Sequence, residues 1–381
     1  MLKIGKQFIN LEYFDDAEPI AEESLIVGRE DVCGTLKWRA NYGYGSIIIT
    51  APRGYGKTTM LLWAKKYAYD PAGKFTGLIL DGKSINCASA YFHRVSNVLA
   101  KEILKRRENF SDKLCEYARM KLTTDLKKYS PPYEVLYSTI YEKLLEEMEK
   151  EGVNFPIYIF ADEMNAISYR NAYEFRDFLK AHLSLDKRIK WIITMQLNFY
   201  LNLHQLDEAL ADRFPTKISL RVLNPDEVKE LIRKRLLKAR INYEGDDWYP
   251  FTEEAVEVLA EECGGVPRNA VRFSRLILEV ASGYGIIDKN ERITGSFVKQ
   301  TLRKFRLDIY SSVLKDLGYL AEKIHDFLLS TDNGCANLVT IANAINTSKQ
   351  RARYWLLKLI ESGYVVQKER GVYCLAREKE L

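Results

Sequence analysis

The sequence predicts an α/β protein built on a parallel sheet, with a helical segment and a small mixed unit after it. Three observations carry that expectation. A hydrophobic strand passes through a two-glycine loop into a helix at "SIIITAPRGYGKTTMLLWA", and two further buried-type strands lie at "PIYIF" and "KWIITM". From Leu317 the pattern changes to three short helical periods and two strands. The divisions expected are 1–223 for the sheet-bearing core, 224–306 for a helical lid and 317–381 for the C-terminal unit.

In the first stretch, Ile47 to Thr50 has strand character and Thr59 to Ala64 is apolar on a helical period. A helix N-terminus carries unpaired N–H groups and a partial positive charge, and Gly54 and Gly56 let the loop bend those donors around an anion. The pattern is GxxxxGK[ST] with Ala51 in place of the first glycine. Its lysine, Lys57, is placed to reach β and γ phosphates, and Thr58 offers a hydroxyl to Mg²⁺. Pro52, Arg53, Gly54, Tyr55, Gly56, Lys57, Thr58 and Thr59 are therefore candidates for binding ATP or ADP.

Hydrolysis needs a second, acidic strand end. Ile157 to Phe160 supplies the strand, and Asp162 and Glu163 emerge at its end, where open parallel sheets present their ligand-binding groups. Asp162 is the candidate for holding Mg²⁺, with Glu163 polarising the attacking water. Trp191 to Met195 is another buried strand, and either Gln196 or Asn198 beyond it is placed to sense the γ-phosphate. "LDEALADRFPTKISL" sets Arg213 before a short strand, a position from which an arginine can act on a neighbour's nucleotide or stand solvated at the surface. Asn224-Pro225-Asp226 opens an amphipathic helix; Gly264-Gly265 breaks the next pair, and Pro267 puts Arg268 at the start of a helix.

In the C-terminal unit, apolar stripes fall at Leu320, Ile324, Phe327 and Leu328, at Leu338, Ile341, Ala342 and Ile345, and at Tyr354, Leu356, Leu357 and Leu359. The third helix is expected to start after Thr347 as N-cap and to end at Ser362-Gly363. "YVVQKERGVYCLA" then reads as a hairpin, completing the order of a winged helix. Ser348, Lys349, Gln350, Arg351 and Arg353 on the third helix, with Lys368 and Arg370 on the hairpin, are the candidates for contacting double-stranded DNA. A winged helix used only for protein contacts is the alternative.

Composition bounds these readings. The chain has 381 residues, enough for two or three domains at roughly 100–200 residues each. No apolar run approaches the roughly 20 residues of a membrane span, and "MLKIGKQFINLEYFDD" lacks the features of a secretory signal. A cytoplasmic location without membrane contact is expected, nucleoid-associated in a prokaryote. The six cysteines show neither CxxC spacing nor a nearby histidine pair, so they read as small core residues, with no zinc site or disulfide framework. The net charge of +5 is mild and permits a local nucleic-acid surface without identifying one.

Taken together these segments resemble the AAA+ ATPases, and within them the archaeal and eukaryotic origin-recognition and replication-initiator branch, over nearly the whole chain. "LIVGRED" is similar to the family's segment against the adenine, which implies nucleotide contacts for Val27, Gly28 and Arg29. "GGVPRNAVRFSRLILEVA" resembles its sensor 2 region, making Arg268 the sensor arginine. Asn198 keeps the family's sensor 1 spacing, although Gln196 lies nearer the strand end. Arg213 fits the broader AAA+ pattern for a trans-acting arginine, whereas the initiator branch often places it where this chain has Ala209. The resemblance implies a P-loop AAA+ core with a parallel sheet, a helical lid and a winged helix. It further implies a slow, regulatory ATPase that binds DNA, self-associates through the ATPase part and recruits a replication or recombination protein. A transposition or partner-recruiting regulator and a nucleotide-gated transcriptional switch are the alternatives.

Overall fold

The computed structural model describes residues 2–4, 7–42, 45–69, 77–123, 133–241, 246–285, 292–305, 319–331, 334–361, 364–369 and 371–375. It divides into two compact units, Met1–Val298 and Lys299–Leu381. The first runs β1 (Leu2–Ile4), β2 (Gln7–Ile9), α1 (Glu30–Tyr42), β3 (Ile47–Ala51), α2 (Lys57–Trp63), β4 (Gly77–Asp81), α3 (Ala88–Lys105), α4 (Asp112–Thr123), α5 (Tyr133–Lys150) and β5 (Ile157–Asp162). It continues through α6 (Tyr173–Leu185), β6 (Ile189–Gln196), α7 (Leu197–Leu206), α8 (Glu208–Ala211), β7 (Thr216–Ser219), α9 (Pro225–Ala239), β8 (Arg240–Ile241), α10 (Glu253–Glu262) and α11 (Pro267–Gly283).

Five strands form a parallel sheet in the order β4-β5-β6-β3-β7. Its central strands are buried on both faces, which is why they read as unbroken apolar runs rather than alternating ones. Alternate residues nonetheless feed different cores. Ile48, Ile159 and Ile193 pack with Tyr91, Leu99, Tyr141 and Trp191 on one side, while Ile47, Ile49, Phe160 and Ile192 pack with Leu36, Met60, Leu61 and Trp63 on the other. The register sets Ala51 beside Gln196 and Asp81 beside Asp162, so the ends of four strands share one edge of the sheet. That edge is where β3 hands over to α2.

The lid is made of α9, α10 and α11, and its first helix opens on a capping box in which Asn224 and Glu227 exchange hydrogen bonds. The division expected at residue 223 places the N-terminus with the core. Instead β1 and β2 join β8 in a small sheet, the Asn10 N–H donates to the Ala239 carbonyl at 2.8 Å, and the following 3-10 turn Leu11–Phe14 packs on α9 and α11. The strands are too short to announce their partner, and β8 lies more than two hundred residues away. Among the described residues, lid and core are joined by backbone hydrogen bonds from the Leu223 N–H to the Gly265 carbonyl at 2.8 Å and from the Arg268 N–H to the Gly54 carbonyl at 3.2 Å.

The second unit contains α12 (Tyr319–Leu329), β9 (Cys335–Asn337), α13 (Leu338–Ala344), α14 (Lys349–Glu361), β10 (Val365–Glu369) and β11 (Val372–Leu375). Its antiparallel sheet has the order β10-β11-β9, completing three helices and a hairpin in the order of a winged helix. Ile324, Leu328, Ile341, Leu356 and Leu359 form the core. Three expectations are corrected. Tyr354 and Leu357 are 53% and 49% exposed, because the helical period turns them opposite Ala352, Leu356 and Leu359. Ser348 rather than Thr347 caps α14, its hydroxyl accepting from the Arg351 N–H. Cys335 and Cys374 stand directly opposite on β9 and β11 and are joined by a disulfide, a pairing that strand register creates and sequence spacing conceals. Ser362, Gly363 and Arg370 lie outside the described residues.

Gly265 tests the junction between lid and core. It sits at φ +72°, and a Cβ there would lie 2.3 Å from the Leu223 carbonyl oxygen, whereas Gly264, at φ +59°, has open space. Both alanine substitutions meet the left-handed backbone penalty of about 1–3 kcal/mol. Gly265→Ala should lose clearly more stability than Gly264→Ala in urea unfolding; equal losses would show that the Leu223 contact carries no weight.

Candidate functional site

The cavity of interest, about 360 Å³, opens over the carboxyl edge of the sheet. Its floor is the loop from β3 to α2, where Gly54 and Gly56 take φ of +87° and +89°, angles that suit glycine. A Cβ on Gly54 would press on Val266 and Arg268 of the lid at 3.1 and 3.3 Å. The loop is thus bare of side chains where it curls and open where its N–H groups gather, which fits a bound phosphate chain.

Lys57 begins α2 and is buried, its ammonium donating to the Ala51 and Pro52 carbonyls at 3.0 Å each. Burial lowers its pKa, against the opposing pull of the Glu163 and Asp162 carboxylates. The next residue, Thr58, donates its hydroxyl to Asp162 Oδ2 at 2.8 Å. On the other side of the carboxylate, the Thr194 hydroxyl of β6 donates to Asp162 Oδ1 and accepts from the Glu163 N–H at 2.9 Å. Glu163 is held at φ +54°, a conformation that costs a non-glycine residue energy and marks it as constrained. Its carboxylate forms an ion pair with Lys83 Nζ at 3.1 Å, which raises the lysine pKa through the hydrogen bond. Thr58 and Asp162 together present two hard oxygen donors at one point, a set that fits Mg²⁺.

Away from the loop the cavity is lined by the apolar Ile20, Ile26, Val27, Leu223, Leu231 and Val271, together with the charged Asp15, Asp16, Glu18 and Arg235. Arg53, Tyr55, Thr59 and Arg268 line it as well, nearer the loop. Arg29 also reaches the lining, but its guanidinium is buried and spent on the Gly28, Tyr55 and Arg221 carbonyls, so it braces the loop. Gly28 stands outside the lining against Leu223 and Glu227, and Pro52 contributes only its carbonyl to Lys57.

Three sequence candidates are not brought together with these. Asn198 is exposed on α7 outside the cavity lining. Gln196 is also outside it, its N–H bound to Asn165 Oδ1 at 3.1 Å. Arg213 is exposed after α8, with no side-chain partner among the described residues. In the other direction, Thr194, Lys83, Arg235 and the segment Asp15–Ile20 belong to the site and were missed. Only Thr194 carried a signal: it is the polar residue inside the otherwise apolar run Trp191 to Met195.

In the second unit, Ser348, Lys349, Gln350, Arg351 and Arg353 are all exposed at the start of α14, and Lys368 is exposed on β10. Tyr354 and Leu357 continue the outward face that Gln350 begins, while Lys358 lies 5.0 Å from the Tyr354 ring centroid and 5.1 Å from that of Trp355. Among the described residues no helix is long and apolar enough to cross a membrane.

No protein-family model matches the chain. A Methanocaldococcus jannaschii protein described as an uncharacterized HTH-type transcriptional regulator is 23% identical over 294 residues, 76% of this chain and 66% of its own length. The RuvB subunit of the Holliday junction branch migration complex from an Anaeromyxobacter species is 26% identical over 167 residues, so the chain spans less than half, 44%, of that relative. The solved structure of Aeropyrum pernix ORC1 protein in complex with DNA superposes with a TM-score of 0.60 at 13% identity, covering 98% of this chain and 95% of that one. The five-stranded parallel sheet, the lid and the three-helix unit with its hairpin therefore constitute the AAA+ fold of the archaeal origin-recognition proteins.

Proposed function

We propose that the protein binds and slowly hydrolyses ATP in the cavity between sheet edge and lid, and binds double-stranded DNA through its winged helix, as a replication initiator does. The observation that carries the first half is the convergence of Lys57, Thr58, Asp162, Glu163 and Arg268 on one cavity, from three separate stretches of chain. On this reading the Lys57 ammonium leaves the Ala51 and Pro52 carbonyls for phosphate oxygens, and Arg268 adds a second positive charge from the lid. Glu163 polarises the attacking water, and its constrained backbone, tied to Thr194, holds the carboxylate in place for that task. Thr58 and Asp162 would hold Mg²⁺, which neutralises charge developing on the phosphates. Nucleotide state then acts on the two lid contacts, at Gly54 and at Leu223, and so on the lid's angle.

DNA binding rests on the exposed basic start of α14 and on Lys368 of the hairpin, with a partner recruited for replication or recombination. ORC1 of similar fold was solved with DNA bound, which supports the assignment. Self-association through the ATPase part would use the free Arg213. The relative described as a transcriptional regulator favours a second reading, a nucleotide-gated transcriptional switch.

Glu163→Gln should retain ATP affinity and lose most turnover, whereas Lys57→Ala should lose affinity itself. Equilibrium binding beside steady-state hydrolysis separates the two, and parental turnover in Glu163→Gln would remove that carboxylate from the mechanism. Lys83→Met should raise turnover at unchanged ATP affinity, because the ammonium occupies one carboxylate oxygen and competes with the attacking water for it. A fall in turnover would instead make Lys83 a supporting group.

On DNA, Gln350→Ala or Arg351→Ala should relax preference at particular base pairs by about 1–3 kcal/mol. Lys368→Ala should weaken all duplexes alike and reduce the salt slope by about one unit. Titrations of a preferred and a scrambled duplex across salt resolve these effects. No affinity for either duplex, with or without ATP, would transfer the winged helix to a protein-contact role.

A further inference from the structure

Arg235 is a charged side chain of the cavity lining that the phosphate chemistry does not use, and the acidic Asp15, Asp16 and Glu18 that also line the cavity form no ion pair with it. Arg235 projects from lid helix α9 one turn beyond Leu231, and both line the cavity together with Ile26, Val27 and Val271. Its Nη1 donates to the Tyr13 carbonyl, which fixes one side of the guanidinium against the N-terminal segment. The buried Nε has no hydrogen-bond partner, and no other acceptor or carboxylate engages the group among the described residues. Burial without a counter-ion pushes its pKa down to about 10. A cation placed among apolar walls with donors to spare is costly unless something that enters the cavity accepts from it.

We propose that Arg235 reads the nucleobase, its guanidinium donating a hydrogen bond to a ring nitrogen of the purine. The inference rests on the nucleotide reading above and adds to it the residue that selects the base. A purine suits the place: its faces are apolar enough for Val27, Leu223 and Val271, and its edge carries acceptor nitrogens that an arginine fork can address. Since α9 and the Tyr13 carbonyl belong to the lid and its attached N-terminal segment, base recognition is carried by the lid rather than by the sheet.

A chemical double-mutant cycle tests this on the full chain. Binding of ATP and of its 1-deaza, 3-deaza and 7-deaza analogues is measured by calorimetry for the parent and for Arg235→Met. In the parent, one analogue should bind roughly tenfold or more weaker than ATP, the loss expected for a hydrogen bond to a charged donor. In Arg235→Met the same analogue should bind as ATP does. Comparison within each variant cancels any general weakening from the lost Tyr13 contact. Should the methionine variant fail to fold, Arg235→Lys takes its place; the ammonium lacks the reach and planar fork that span Tyr13 and base, so the gap should narrow. Parental binding that ignores all three deletions, or a gap that survives in the variant, would overturn the assignment of Arg235 alone. Absence of ATP binding to the parent would sink the nucleotide reading and this inference with it.

Discussion

The hydrogen-bonded chain Thr58–Asp162–Thr194 is the interaction on which the rest of the site depends. It joins the first turn of α2, the end of β5 and the interior of β6, three segments brought within reach only because the parallel register lines up their strand ends. With Asp162 held on both sides, the Glu163 N–H is directed at the Thr194 hydroxyl and the backbone is drawn to positive φ. Lys57 on α2 and Glu163 beyond β5 then face one cavity without touching each other. A satisfied polar network of this kind, set against the apolar cores on both sides of the sheet, fixes geometry more tightly than any one of its bonds.

The lid is organised on different terms. It shares its sheet with the N-terminus, holds the 3-10 turn Leu11–Phe14 against α9 and α11, and adds the ion pair of Arg275 with Asp15 at 3.8 Å. Its backbone hydrogen bonds to the core, at Gly54 and at Leu223, both involve a glycine with positive φ. Such contacts are short-ranged and intolerant of added atoms, so they define how the lid seats on the loop.

Much of the core was legible because its signals are local. The loop at Gly54–Thr58 sits between a strand and a helix whose periods differ, and Asp162-Glu163 ends an apolar run, so each could be read within a dozen residues. The order of elements in the winged helix was legible for the same reason. What escaped depends on distance along the chain. Lys83 acts by facing a strand end eighty residues later, Arg235 by reaching the Tyr13 carbonyl, and Cys335 pairs with Cys374 only through strand register. Tyr354 and Leu357 were misplaced because an aromatic or leucine on a helix reads as core until the buried face is known, and Ala352, a small residue, marks that face. Asn198 illustrates the converse: a family spacing selected it, while the hydrogen bonds at the sheet edge go to Thr194.

The pairing of β2 with β8 has a consequence for how the chain is made. Phe8 and Ile9 find their partners, Ile241 and Arg240, only after some 230 further residues have left the ribosome. During that interval the sheet between β3 and β7 is complete in sequence and able to form, while the opening segment waits without its partner. Closing so long a loop is slow, although its entropic cost grows only as the logarithm of its length. Assembly of the cavity's far wall is therefore expected late in synthesis, and a nascent chain arrested before residue 241 would carry the glycine loop with no roof over it.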